Sequence, residues 1–144
     1  MQQITGGCHC GNIRYEFVWP LDDAEIPVRA CGCSFCLKHG GTYTSHPEAA
    51  LTAVMTDPAL VTKYTFGTKT ADFYVCVRCG VLLFAVSRID ENDYAVVNVH
   101  TFEGIEPARL VSRTTNFDGE SLEGRLGRRK KTWTPTVGVS VAGG

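Results

Sequence analysis

The chain has 144 residues, 44% of them hydrophobic and 20% charged, with a formal net charge of -1 at pH 7. That composition fits one globular domain whose core is large enough to fold without covalent staples, and it argues against disordered and fibrous classes. The near-neutral charge gives no whole-molecule reason to bind nucleic acid or an anionic membrane, and the longest apolar run, "VLLFAV", is far short of the roughly 20 residues a spanning helix needs.

The opening "MQQITGGCHCGN" has neither a basic leader nor an apolar stretch, so the expectation is a mature chain that starts here and stays in the cytoplasm. After it, "NIRYEFVW" alternates, with Ile13, Tyr15 and Phe17 on one side and Arg14, Glu16 and Val18 on the other, which predicts a half-buried strand. The stretch "WPLDDAEIP" reads as a loop, and "PVRACGC" as a short strand. Ser34 is the expected cap of a helical turn over "FCLKH", stopped by Gly40 and Gly41. "TYTSH" is β-rich, whereas "PEAALTAVM" suits a brief helix or an irregular strand equally. The β pattern resumes in "LVTKYTF", "TKTADFYV" and "VLLFAVSRI", and "NDYAVVNVHTF" follows an Asn-Asp turn. About seven short strands with frequent turns, and no long helical period, predict a mainly β domain built of antiparallel sheets.

Beyond "EGIEPARL" the character changes. Residues 119–144 are rich in glycine and gather Arg125, Arg128, Arg129, Lys130 and Lys131 in one place. The plain expectation is a solvated, partly mobile basic tail following a domain of residues 4–118. The sharper alternative has the basic cluster, with Trp133 beside it, dock an anionic ligand or a nucleic acid.

The chemistry lies in the cysteines. All seven fall in three tight groups: Cys8 and Cys10; Cys31, Cys33 and Cys36; Cys76 and Cys79. An odd number cannot all pair within one chain, and a reducing compartment disfavours disulfides. Closely spaced cysteines flanked by Gly6, Gly7, Gly11, Gly32, Gly40, Gly41 and Gly80 suit a thiolate-bound metal, because zinc gathers sulfurs at about 2.3 Å around one point and the backbone must bend sharply to deliver them. Seven ligands divide as four plus three. A closed set of four is typical of structural zinc, and three with an open fourth position is typical of catalytic zinc. Cys31, Cys33 and Cys36 are close enough in sequence to face one metal, which leaves Cys8, Cys10, Cys76 and Cys79 to clamp a second. Two other readings stand beside this: His39 closes a purely structural Cys₃His site, or one zinc binds and the remaining thiols are free or redox-active.

At these residues the sequence resembles the glutathione-dependent formaldehyde-activating enzyme family, whose domain is shared with centromere protein V and has an Mss4-like fold. The resemblance runs through "GGCHCGNIRYEF", "CGCSFCLKHGGTY" and "VCVRCG", over roughly residues 4 to 118. It implies two Zn²⁺ per chain, a structural one on Cys8, Cys10, Cys76 and Cys79 and a catalytic one on Cys31, Cys33 and Cys36. It also implies a glutathione-like thiol as partner and carbon-sulfur lyase-type chemistry, the formation or carriage of S-(hydroxymethyl)glutathione. Three thiolates make zinc a weak Lewis acid, poorly suited to hydrolysis and well suited to holding a substrate sulfur as thiolate. Lys38, His39 and Arg78 are candidate contacts for substrate carboxylates or proton transfer, set against the plainer reading of each as a surface residue. The alternative is a zinc-stabilised binding module without turnover.

Overall fold

The computed structural model describes residues 1–22, 25–117 and 119–143. In chain order the strands are β1 (Gln2–Gly7), β2 (Ile13–Trp19), β3 (Ile26–Cys31), β4 (Thr42–Thr44), β5 (Ala50–Met55), β6 (Val61–Tyr64), β7 (Asp72–Cys76), β8 (Leu82–Ile89), β9 (Asn92–Asn98), β10 (Phe102–Glu103), β11 (Leu110–Thr115) and β12 (Thr136–Val141). Two helices, α1 (Ser34–His39) and α2 (Leu122–Thr132), complete the frame. The strands form a five-stranded sheet in the order β10-β1-β2-β5-β12 and a seven-stranded sheet in the order β11-β3-β4-β9-β8-β7-β6. Pairing is antiparallel except at two edges, where β12 lies parallel to β5 and β11 parallel to β3. The expected mainly β, largely antiparallel class is what the chain adopts.

Alternation drives the layering. On β2, Ile13, Tyr15, Phe17 and Trp19 are buried while Arg14 and Glu16 face water, so one face of the smaller sheet is apolar. That face meets Ile26, Leu83, Phe84 and Val97 of the larger sheet to form the main core. The larger sheet is covered on its other side too. Ala85, Val96, Tyr43 and Cys36 belong to a second cluster with Trp133, which is why "VLLFAV" reads as a continuous apolar run rather than an alternating one.

Several expectations need correction. Residues 50–55 of "PEAALTAVM", left open between helix and strand, form a strand, β5, because its neighbours β2 and β12 supply hydrogen bonds on both edges. The hairpin between β8 and β9 turns at Asp90 and Glu91, both at positive φ (50° and 70°), one step before the Asn-Asp pair. Two left-handed residues match the twist of a two-residue hairpin. Helix α1 is capped by Cys33, whose Sγ accepts from the Cys36 amide at 3.4 Å, instead of Ser34. It ends at Gly40, in the left-handed conformation as expected. The loop expected over "WPLDDAEIP" includes Asp23 and Ala24, which lie outside the described residues.

The largest correction concerns the expected tail. Residues 122–132 are helical and residues 136–141 form a strand. Between them Trp133 is buried and Thr134 exchanges two backbone hydrogen bonds with Ala95, each 2.9 Å. The side-chain hydroxyl of Thr134 also bridges the backbone of His46, donating to its oxygen and accepting from its amide. These ties are tertiary. The sequence "LEGRLGRRKKT" has no apolar stripe to announce a helix.

A docked C-terminal segment and a loose one respond differently to truncating Trp133. Trp133→Ala should lower the free energy of unfolding by about 3–5 kcal/mol, measured by urea denaturation followed by far-UV circular dichroism. An unchanged midpoint would contradict the docking described here.

Candidate metal centres and the cleft between them

The first group of sulfurs sits where the two sheets meet. Cys8 and Cys10 lie in the turn between β1 and β2, Cys76 ends β7, and Cys79 lies in the turn that leads on to β8. Both turns are tightened by backbone hydrogen bonds, from Cys8 to Ile13 at 3.0 Å and from Cys76 to Val81 at 3.0 Å. Gly80 has a φ of 80°, and its amide reaches the Cys76 carbonyl at 2.7 Å to close the knuckle. The result is that the four Sγ atoms all lie within 4.8 Å of one another. Cys8 and Cys10 are 3.7 Å apart and Cys10 and Cys76 3.5 Å, close to the roughly 3.8 Å edge of a tetrahedron of sulfurs about 2.3 Å from a central zinc. Donor type, number and spacing therefore fit a tetrahedral thiolate site.

Burial pushes the Cys76 thiol up to about 11. Burial acts on Cys79 in the same sense, but backbone amides of Cys10 and Val81, with the Cys76 and Cys10 thiols, outweigh it and bring Cys79 down to about 6. The downward shift at Cys79 favours the thiolate, the form that binds metal.

The second group is Cys31 at the end of β3, Cys33 at the cap of α1 and Cys36 within it, and these three Sγ atoms also lie within 4.8 Å of one another. The geometry follows from the short helix. Its first turn brings residues 33 and 36 onto one face, and β3 delivers residue 31 beside them. Gly32 allows the backbone to pass closely: its amide donates to the Thr115 carbonyl at 2.7 Å, and a Cβ there would stand 3.0 Å from that oxygen. Hydrogen bonding with Cys31, followed by burial, pushes the Cys36 thiol far above the usual thiol range. Burial also raises the Cys33 thiol.

Tyr43 was missed by sequence reasoning. It is buried on β4, with its hydroxyl 3.1 Å from Cys36 Sγ, and burial, then the neighbouring Cys36, raises its pKa well above the usual phenol range. Once Cys36 is a thiolate, the phenol is the donor in that contact. The only signal in the sequence was an aromatic after two glycines in "HGGTY".

The three sulfurs open onto a cleft of about 480 Å³, within the range of small-molecule sites. Tyr43, Phe66, Phe73, Phe117 and Trp133 supply its aromatic walls, and Arg29, Arg125, Arg128 and Arg129 its charge. Lys38, His39 and Arg78, the candidate substrate contacts, do not line it. All three are exposed, and His39 packs its ring on Phe35 with centroids 4.6 Å apart. The basic groups come instead from β3 and from α2. The glutamate among the described lining residues, Glu120, is bound by Arg128 through both oxygens at 3.0 Å, and that contact holds its carboxyl below the usual carboxylate range.

The architecture and these two sulfur groups define a mainly β protein with two sites that could hold metal ions, one at the junction of its sheets and one on a cleft wall. Residues 3–117 match the family model described as glutathione-dependent formaldehyde-activating enzyme, and the chain belongs to that family. Among curated proteins it is 28% identical over 101 residues to an Emericella nidulans protein named "Putative glutathione-dependent formaldehyde-activating enzyme", an alignment covering 69% of this chain and 46% of that protein. The chain thus spans about half the length of the curated relative it matches. Among solved structures, a Rhodobacter sphaeroides protein matches with a TM-score of 0.58 and 32% identity, over 77% of this chain and 99% of that one. Among the described residues, no helix is long and apolar enough to cross a membrane.

If the Tyr43 hydroxyl supports the ligand set through Cys36, removing it should weaken metal at the trio alone. Tyr43→Phe is expected to lose roughly tenfold in affinity there with the four-sulfur group unchanged, as read by competition with a chromogenic chelator. Equal loss at both groups would assign Tyr43 a general structural role.

Proposed function

We propose that the protein carries two zinc ions, a structural one on Cys8, Cys10, Cys76 and Cys79 and a catalytic one on Cys31, Cys33 and Cys36, and that it makes or breaks the bond between a glutathione-like thiol and a small aldehyde. The observation that carries this reading is the trio itself: three converging sulfurs, rather than four, on the wall of a cleft large enough for a small molecule. The family's name, glutathione-dependent formaldehyde-activating enzyme, supports a thiol of the glutathione kind and formaldehyde as the substrates of this reading.

Zinc bound at the trio would favour the thiolate over the thiol of an incoming substrate, as a soft cation on soft ligands does. The protein's own residues do the rest. Cys31, Cys33 and Cys36 fix where a substrate sulfur can sit, and Tyr43 holds the Cys36 ligand from behind. Phe66 and Phe73 border the cleft and are stacked with centroids 5.4 Å apart, a surface that sheds water around the reacting carbonyl. The chemistry balances without a further reactant. The thiol sulfur forms a bond to the aldehyde carbon, the C=O π pair moves onto oxygen, and the proton given up by the thiol ends on that oxygen. The reverse reaction releases the same thiol and aldehyde.

Freshly purified, reduced protein should contain two zinc per chain by elemental analysis. Cys33→Ser is expected to retain one zinc and the wild-type circular dichroism spectrum while turnover of glutathione with formaldehyde falls by at least about a hundredfold, a fall of about 2.7 kcal/mol in transition-state stabilisation. Unchanged turnover in that variant would overturn the catalytic assignment. Turnover is to be read above the spontaneous background, since the adduct also forms without an enzyme.

A further inference from the structure

The cleft has a charged wall that the cysteine chemistry leaves unused. Of its four arginines, Arg128 is neutralised by Glu120, and Arg125 lies 3.7 Å from the same carboxylate. Arg29 and Arg129 are not neutralised. Among the described residues, no carboxylate forms an ion pair with either. Arg129 is only 7% exposed. Its Nη1 donates to the hydroxyls of Thr70 at 2.8 Å and Ser87 at 3.1 Å, its guanidinium lies 4.8 Å from the Trp133 ring centroid, and its Nε has no hydrogen-bond partner. Arg29 donates from Nη2 to Ser45 at 2.7 Å.

Burial, then repulsion from Arg128 and Arg125, lowers Arg129 to about 10, so it remains charged at neutral pH. A buried guanidinium with like charges beside it, hydroxyls and a ring as its direct partners, and as counter-charge only a Glu120 carboxylate already bound by Arg128, is a poorly compensated cation. Its side chain lines a cleft with room for a ligand. Guanidinium groups present a planar fork that suits the two oxygens of a carboxylate, and the aromatic surroundings strengthen that pairing by excluding water.

We propose that Arg129 and Arg29 form a carboxylate-binding site, so that the thiol engaged at Cys31, Cys33 and Cys36 is one that carries a carboxylate. The selectivity is supplied largely by α2, which lies beyond the family-matched residues 3–117. This inference rests on the reading of the trio as a thiol site, and the test separates the two.

Two thiols of similar size, 3-mercaptopropionate and 3-mercapto-1-propanol, are titrated into cobalt-substituted full-length protein, with the cobalt absorption reporting sulfur binding. S-methylglutathione, which has carboxylates but no free thiol, is titrated separately with tryptophan fluorescence as readout. The mercaptocarboxylate should bind about tenfold more tightly than the mercaptoalcohol, as expected for one charge-assisted pair. Arg129→Met should abolish that preference and the binding of S-methylglutathione while leaving the mercaptoalcohol at its wild-type affinity. Arg29→Met should act in the same direction, and Arg129→Lys should restore part of the preference. Thermal melts check that each variant folds, and if Arg129→Met does not, Arg29→Met and Arg129→Lys decide. Equal affinity for the two thiols in the wild type, or a preference that survives both methionine variants, overturns the proposal. If neither thiol perturbs cobalt but S-methylglutathione still binds through Arg129, the carboxylate site stands and the thiol-site reading fails.

Discussion

Four sulfurs held within 4.8 Å of one another, drawn from turns on two different sheets, are the constraint on which the rest of the molecule depends. As thiols they make only weak contacts with one another; as thiolates they repel unless a cation lies among them. Either way the turn carrying Cys8 and Cys10 must stand against the turn carrying Cys76 and Cys79, and this fixes one end of the sandwich. With that end fixed, β2 can lay Ile13, Tyr15 and Phe17 against Leu83 and Phe84 in only one register. A slip of one residue would turn those side chains to water and bring Arg14 and Glu16 inward. The sulfur group and the apolar core thus enforce the same alignment by different physics.

The second sulfur group depends on this frame rather than creating it. Cys31 is placed by the end of β3, whose partners β4 and β11 are themselves fixed by the larger sheet. Cys33 and Cys36 ride on a helix of six residues, too short to be stable by itself. It is anchored by the burial of Cys36 and by Tyr43 behind it. A site built on so short a helix is held mainly by its neighbours, so its integrity reports on the sheet beneath it.

What could be read from the sequence followed from local, repeating signals. Alternation in "NIRYEFVW" and clustering of cysteines are both properties of a few adjacent residues, and both were legible. The class and the two sulfur groups came from them. The misreadings share a cause: the deciding interaction was distant. β5 is a strand because β2 and β12 flank it, and nothing within "PEAALTAVM" favours that over a helix. The segment after residue 119 is ordered by Glu120, Asp90, Thr70, Ser87 and Ala95, partners that its own glycine-rich, basic composition conceals. Lys38, His39 and Arg78, candidates because they are near the cysteines in sequence, are exposed and do not line the cleft, in keeping with the surface reading.

The order in which the chain emerges from a ribosome gives this arrangement a consequence in time. Every cysteine lies at or before residue 79, whereas α2, Trp133 and β12 come last, and β12 pairs with β5 across most of the chain's length. Both sulfur groups and Arg29 are therefore present in the nascent polypeptide before the arginines of α2 exist. Assembly of the sulfur groups and completion of the cleft become separable steps in biogenesis. A chain arrested before α2 would hold its sulfurs yet lack Arg125, Arg128 and Arg129 on the cleft wall.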